Sequence, residues 1–205
     1  MVKGGPDFTI ELKAMRKGAK RVCGIDEAGR GPWAGPVVAA AVVLDPNNIP
    51  HGLNDSKKLT ETRREALFEP IMASAKVGIG IAEVDRIDRD NILQATLWAM
   101  AQAVGQIDGV ALALVDGNRA PQLPCPVQTI IAGDATSLSI AAASIIAKVT
   151  RDRIMLGHDA TYPQYGFARH KGYGTALHQD ALRRLGPTPL HRRSFAPIAA
   201  LLAAR

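Results

Sequence analysis

The hydrophobic pattern of the chain begins with two closely spaced apolar runs. Val22, Cys23 and Ile25 form the first, and Val37, Val38, Val42 and Val43 the second. Short β-branched runs of this kind predict strands. The stretch between them, with Gly29, Arg30, Gly31, Pro32 and Gly35, predicts the turn of a hairpin-like unit. Ahead of it, Phe8, Ile10 and Leu12 alternate, so residues 1–20 are expected to be a short lead-in with an edge strand. Behind it, DPNNIPHGLNDSKKLT has no apolar period and is expected to be a polar loop. Thr62 and Glu65 then have capping-box spacing, and Leu67, Phe68, Ile71 and Met72 mark the apolar face of a helix.

A strand is predicted over 77–84, followed by a helix whose core positions are Ile92, Leu93, Leu97, Met100 and Val104. Trp98 on that helix is given no functional role. ALALVDG is a further strand, VQTIIAGDA repeats the pattern, and the Ala-rich run SLSIAAASIIAKVTRDRIM predicts a long helix closed by basic residues. A chain of 205 residues with this alternation fits one α/β domain.

The polar positions at the strand ends carry the chemistry. Three strand-like segments each hand an acid to a turn: Asp26 with Glu27, then Asp116, then Asp134. Any one of these is an ordinary turn residue, and glycine beside it merely permits positive φ. Their common placement is different, because strand ends of one sheet converge on one edge. Four carboxylates there suit one or two hard cations bound through oxygen. The open N–H groups of the neighbouring glycine turn suit a phosphate. A dinucleotide-binding turn is disfavoured: the spacing is G-x-G-x-x-x-G, Pro32 and Pro36 interrupt it, and a strand follows where a helix would be needed.

Composition adds two constraints. Hydrophobic residues make up 47% of the chain and aromatics 4%, so the core is built of Val, Ile, Leu and Ala. The net charge is +6, and from Lys148 onward ten Lys/Arg face only three Asp/Glu, which points to an anionic partner such as nucleic acid. No segment approaches the roughly 18 apolar residues of a membrane span, and the N-terminus has no apolar signal core, so a cytoplasmic protein is expected. Cys23 and Cys125 lack metal-binding spacing and are expected to be reduced thiols.

Taken together, GIDEAGRGPWAGPVVAAAV, NDSKKL, the VDG at Asp116, GDATSLSIAAASIIAKVTRDR and YGFARHKGYGT resemble the bacterial type 2 ribonuclease H family, in the family's order, from about Val22 to Phe195. The resemblance implies an α/β, ribonuclease H-like fold: a mixed five-stranded sheet flanked by helices, with a helical C-terminal portion, over residues 21–205. It implies an endonuclease that cuts the RNA strand of RNA–DNA hybrids and cuts 5′ of single ribonucleotides embedded in duplex DNA, leaving 5′-phosphate and 3′-hydroxyl ends; a monomer is expected. By this similarity Asp26, Glu27, Asp116 and Asp134 are the catalytic, metal-binding acids, using Mg²⁺ or Mn²⁺ with two ions present when substrate is bound. Gly29, Arg30 and Gly31 would sense the RNA-to-DNA junction, and Tyr173 would lie under the sugar on the DNA side. Lys57, Lys58, His170 and Lys171 become candidate phosphate contacts.

The residue chemistry agrees with those roles. Carboxylates bind a hard ion where Lys or His would not. Backbone groups of a close-fitting glycine turn can distinguish a ribose 2′-OH, and Arg30 can fork onto a phosphate. His191, Arg192 and Arg193 are expected either to contact duplex or to cover the C-terminal helix, and Ser144 and Lys148 to pack or solvate their own helix. One departure concerns the usual K-G-D-A-K-S pattern at the fourth acid: Ala132 and Thr136 stand where the lysines would be. Two alternatives are weaker. The type 3 enzyme carries an additional N-terminal domain, for which about twenty residues leave no room. A non-catalytic binder explains the basic C-terminal region but not four acids that would repel phosphate.

Overall fold

The computed structural model describes residues 4–204. Strands β1 (Val22–Ala28) and β2 (Val37–Leu44) form the expected antiparallel unit, with Asp26 opposite Ala40. β3 (Ala75–Ala82) extends it antiparallel beyond β2, while β4 (Leu112–Asp116) and β5 (Val127–Ile130) join the other side of β1 in parallel. The order is β3-β2-β1-β4-β5, a mixed five-stranded sheet, so the first strand of the sequence lies at its centre. β2 is buried along its whole length, which accounts for its near-continuous apolar run.

The period-two alternation of β1 sorts its side chains between two layers. Cys23 and Ile25 face α3 (Val84–Val104) and pack with Ala95, Ala99 and Ala103. The other face is covered by α2 (Glu61–Ser74) and α4 (Leu138–Thr161), whose Ala141, Ile145 and Leu67 meet Ala40 and Val42. Two glycine contacts set how near these layers come. A Cβ on Gly24 would sit 2.1 Å from the Ser139 carbonyl carbon, so α4 begins in backbone contact with β1. A Cβ on Gly80 would sit 2.0 Å from the Ala99 oxygen, which brings α3 equally close to β3.

Several boundaries differ from the expectation. The lead-in contains a helix, α1 (Thr9–Arg16), not an edge strand. The Asp7 carboxylate accepts from Thr9 N and starts it, and Ile10, Ala14 and Met15 turn inward together at helical spacing. The cap of α2 is Thr60, whose hydroxyl accepts from Arg63 N, two residues before the expected Thr62. Met72 is 40% exposed instead of core. β3 ends at Ala82, and Val84 already opens α3. Asn91, at φ 67°, breaks α3 internally and re-caps it by accepting from Leu93 N and Gln94 N. α4 continues to Thr161, so Arg151 and Arg153 lie within the helix and do not close it. The C-terminal portion comprises α5 (Phe167–His170), α6 (Ala176–Leu185) and α7 (Ala196–Ala203) around Met155, Tyr165, Phe167 and Leu182. Among the described residues no helix is long and apolar enough to cross a membrane.

Candidate active site

The acids reach their positions through strand register. In β1, Asp26 shares the α4 face with Val22 and Gly24, while Glu27 follows Ile25 onto the opposite side. β4 runs parallel with Ile25 beside Val115, so Asp116, one residue on, ends next to Asp26 and on the same face as Leu114. Asp134 arrives differently from the expected strand end. β5 stops at Ile130, Ala132 takes a left-handed turn at φ 53°, and Asp134 lies in the short 3-10 turn Gly133–Ala135 that leads into α4.

Carboxylate oxygens of Asp26, Asp116 and Asp134 all fall within 4.8 Å of one another. Asp26 and Asp134 are each only 5% exposed. One Asp26 oxygen accepts from Glu27 N at 2.7 Å, and one Asp116 oxygen from Gly133 N at 2.7 Å, which locks the β4 end to the turn carrying Asp134. Burial, then the charges of Glu27 and Asp116, push the Asp26 pKa well above the usual carboxylate range. Asp134 is raised by burial and by Asp116. Glu27 is raised by burial, which Arg30 at 3.3 Å partly offsets.

Asp55, in the NDSKKL loop, stands close enough to contribute to raising Asp134. It escaped sequence reasoning because the loop looked merely polar; its only signal was an acid next to a lysine pair. Lys57 from the same loop places its Nζ 3.7 Å from Asp134. Burial works to lower the Lys57 pKa, but the carboxylates of Asp134 and Asp26 outweigh it and hold the ammonium above its usual value. Lys57 thus supplies a positive charge beside the fourth acid where Ala132 and Thr136 cannot. The Thr136 hydroxyl turns back to the Gly133 carbonyl at 3.2 Å. Lys58 is exposed nearby.

Asp26, Glu27 and Asp116 line a cavity of ≈ 230 Å³ whose other wall is the glycine turn. Gly29 has φ +99°, and a Cβ there would meet Arg151 Nε at 2.1 Å and the Pro36 oxygen at 2.7 Å. A Cβ on Gly31 would make only an ordinary 3.6 Å contact with Tyr173 Cε1. Gly29 is therefore required by the protein, whereas the bare backbone of Gly31 is open toward the cavity. Tyr173 is 46% exposed, and it borders the same cavity with Lys148. Ser144 accepts from Ser56 N and thereby ties α4 to the NDSKKL loop.

The turn is held from behind by two buried guanidiniums. Arg192 donates to the carbonyls of Gly29 at 2.6 Å, Arg30 at 3.0 Å, Pro32 at 2.7 Å, Gly35 at 2.8 Å and Pro36 at 3.2 Å. Arg151 donates to Ala34, Pro36 and Lys171 carbonyls at 3.0–3.1 Å. Neither forms an ion pair among the described residues, and burial lowers their pKa to about 9 for Arg192 and about 10 for Arg151. Of the two roles weighed for His191 and Arg192, surface contact with a duplex is corrected: both are buried, Arg192 on main-chain carbonyls and His191 between Thr188 and the His178 ring. Sequence reasoning gave Arg151 no role at all.

His170 and Lys171 also need correction as phosphate contacts. His170 is buried, its Nε2 facing the Tyr165 carbonyl and its Nδ1 accepting from Gly172 N. The Lys171 ammonium is spent on the Ala168 carbonyl at 2.5 Å and lies 3.8 Å from Glu61. Both support the loop that presents Tyr173.

A mixed sheet in this order, with acids gathered where β1, β4 and the start of α4 meet, defines a nuclease of the ribonuclease H-like class. A family model described as Ribonuclease HII matches residues 23–198. A Ribonuclease HII of Azorhizobium caulinodans is 60% identical over 197 residues, covering 96% of this chain and 76% of that protein. The crystal structure of ribonuclease H2 from Pyrococcus horikoshii OT3 superposes with a TM-score of 0.73 at 26% identity, covering 90% of this chain and 98% of that one. Bst-RNase HIII, solved in complex with Mn²⁺, shares the fold at a TM-score of 0.70 and 20% identity, over 94% of this chain and 72% of that one. The chain belongs to the ribonuclease HII family, and it is an endoribonuclease acting on RNA–DNA hybrids.

Proposed function

We propose that this enzyme is metal-dependent and cuts the phosphodiester 5′ of a single ribonucleotide embedded in duplex DNA, as well as within longer hybrids. The observation that carries the reading is the trio of carboxylates with oxygens within 4.8 Å of one another, two of which, Asp26 and Asp116, face a glycine turn across one cavity. Three raised or crowded carboxyl groups with one lysine among them make a donor set of hard oxygens short of positive charge, which fits Mg²⁺ or Mn²⁺. Asp26, Asp116 and Asp134 would hold such ions, with Glu27 reaching the same edge from the opposite face. Divalent ions held by these carboxylates would supply the charge that makes a water nucleophilic near neutral pH and eases departure of the 3′ oxygen.

The chain's own groups then position the substrate. Asp26 and Asp116 keep their orientation through the Glu27 and Gly133 N–H groups. The open backbone at Gly31 approaches the ribose 2′-OH, which can both donate and accept, and a side chain there would hold it away. The Tyr173 ring forms the platform for the deoxyribose on the 3′ side. Arg30, Lys57 and Lys58 are the cations available to phosphates, while Lys148 is paired with Asp152 at 2.7 Å. The enzyme acts as a monomer in the cytoplasm, with residues 21–205 as its catalytic unit and the preceding residues as a lead-in. The type 3 specificity, for longer RNA tracts, is the outcome to exclude. The test is an end-mapped cleavage assay on a duplex with one ribonucleotide, in Mg²⁺ and in chelator, beside an all-DNA control. One metal-dependent cut 5′ of the ribonucleotide with the control intact is expected; cutting only within a long hybrid would overturn the junction specificity.

A further inference from the structure

His170, His178 and His191 are buried together in the C-terminal portion, away from the acids, and the chemistry above does not use them. The His170 and His178 rings stack with centroids 4.4 Å apart, and Phe167 packs edge-on against both. Every ring nitrogen has a partner. Those partners fix the direction of each bond, because a backbone N–H only donates and a carbonyl only accepts.

Thr188 N donates to His191 Nδ1 at 2.8 Å, so the His191 proton is on Nε2. That Nε2 faces His178 Nε2 at 2.9 Å and donates to it, which leaves the His178 proton on Nδ1. His178 Nδ1 donates to the Tyr173 carbonyl at 3.0 Å. On the parallel branch, Gly172 N donates to His170 Nδ1 at 3.1 Å and His170 Nε2 donates to the Tyr165 carbonyl at 2.9 Å. Residues 172 and 173 are therefore bonded to two histidines from beneath. Trp33 holds them from the side, donating from its N to the Gly172 carbonyl at 2.9 Å and closing over Gly174.

We propose that this one-directional histidine chain is a positioning device for Tyr173, and that His178 and His191 thereby set the discrimination of the ribonucleotide-to-DNA junction. The inference rests on the reading of Tyr173 as the sugar platform. Apolar side chains could fill the same volume without needing hydrogen-bond partners, but the Tyr173 carbonyl, which accepts from Thr175 N at 2.8 Å, takes its second donor from His178, and that donor ties it to α6. An added proton on His191 Nδ1 would meet the Thr188 hydroxyl at 2.9 Å but oppose the Thr188 N–H, and the other accepting nitrogens face only donors. Of the charged groups around the three rings, Asp159 and Arg169 act on His170 with opposite sign, and Arg192 follows His191 in the chain with its guanidinium committed to the Gly29 turn. Tyr165, Phe167 and Trp33 supply the remaining surroundings. The relay is consequently neutral and single in its arrangement at working pH.

The test compares His178→Leu and His178→Asn with wild type on two substrates in Mg²⁺, a duplex with one ribonucleotide and a long RNA–DNA hybrid. For His178→Leu, kcat on the single ribonucleotide is expected to fall about tenfold with KM within about twofold, and the hybrid to lose less than half as much. His178→Asn, whose amide nitrogen takes the place of Nδ1 and still donates to Tyr173, is expected to recover most of that loss. Equal losses on both substrates, or no recovery with Asn, would overturn the proposal. Long-range proton–nitrogen NMR on the wild-type protein decides it independently of variant folding: protons on His191 Nε2 and His178 Nδ1 are expected, and the opposite tautomers would refute the relay. Failure of the wild type to cut the single ribonucleotide would instead remove the junction-specificity reading, leaving the tautomers to decide the relay alone.

Discussion

The two walls of the cavity handle buried charge in opposite ways. On the acid wall, Asp26, Asp116 and Asp134 crowd together with Lys57 paired to Asp134, and burial, then repulsion by neighbouring carboxylates, raises the pKa of Asp26 and of Asp134. On the turn wall, Arg151 and Arg192 are at least as deeply buried, yet main-chain carbonyls satisfy them and the neighbouring histidines are neutral. A carbonyl dipole neutralises a guanidinium locally without needing a mobile counter-charge. One wall is electrostatically incomplete until a ligand arrives. The other is complete in the free protein, and its task is to hold shape.

The sharpest way to break this comparison is on the acid wall. Asp116→Asn keeps the size and the acceptor for Gly133 N but removes one negative charge. Cleavage is expected to fall by about three orders of magnitude, roughly 4 kcal/mol in the barrier, with folding intact by circular dichroism. Wild-type rates in this variant would remove the carboxylate cluster from the mechanism.

The next effect separates two glycines of the turn wall. Gly29→Ala must combine a φ of +99° with a Cβ 2.7 Å from the Pro36 oxygen, so a loss of about 3 kcal/mol in denaturant unfolding is expected. Gly31→Ala is expected to stay within about 0.5 kcal/mol of wild type while losing cleavage at a single ribonucleotide. Equal destabilisation by the two would mean that Gly31 is glycine for folding and not for substrate.

The smallest effect is on stability of the free enzyme. Carboxyl pKa values raised in the folded state mean that folded Asp26 and Asp134 hold protons which the unfolded chain releases. Their contribution is therefore present at low pH and is lost as pH rises from about 4 through the raised values. The histidines act with the opposite sign: His178 and His191, lowered to about 4 mainly by burial, destabilise the fold as pH falls below about 6.5. Near neutral pH, Mg²⁺ at 100 times its Kd is expected to add about 2.7 kcal/mol, a rise of roughly 5–10 °C in Tm. Asp116→Asn should lose most of that rise, whereas a shift of equal size in the variant would locate the ion elsewhere.

Much of the acid wall was legible in the sequence. Acids following apolar runs fall where register puts them, and the β1–β2 unit and the long α4 follow from local pattern. Asp134 was found for a partly mistaken reason, because its turn depends on the left-handed Ala132, which no propensity indicates. The split of Asp26 and Glu27 onto opposite faces follows from strand alternation alone. The turn wall was far less legible. Apart from the Lys171 carbonyl, Arg151 and Arg192 find their partners at main-chain carbonyls 115 to 163 residues away, and carbonyls carry no sequence signature. His170 and Lys171 looked like surface cations for the same reason.

The N-terminal helix imposes an order on biosynthesis. The Glu11 carboxylate is buried at the start of α4, where it accepts from Ser139 N and from the hydroxyl of Ser137, 126 residues further along. At a ribosomal pace of about 5–20 residues per second, that acid waits roughly 6–25 s for its partners to be made. β1 waits nearly as long for β4, and the carbonyls of the Gly29 turn wait longer still for Arg192. The first strand to be made, β1, thus sits at the centre of the sheet, and the cavity between acids and turn cannot close until Arg192 has left the ribosome.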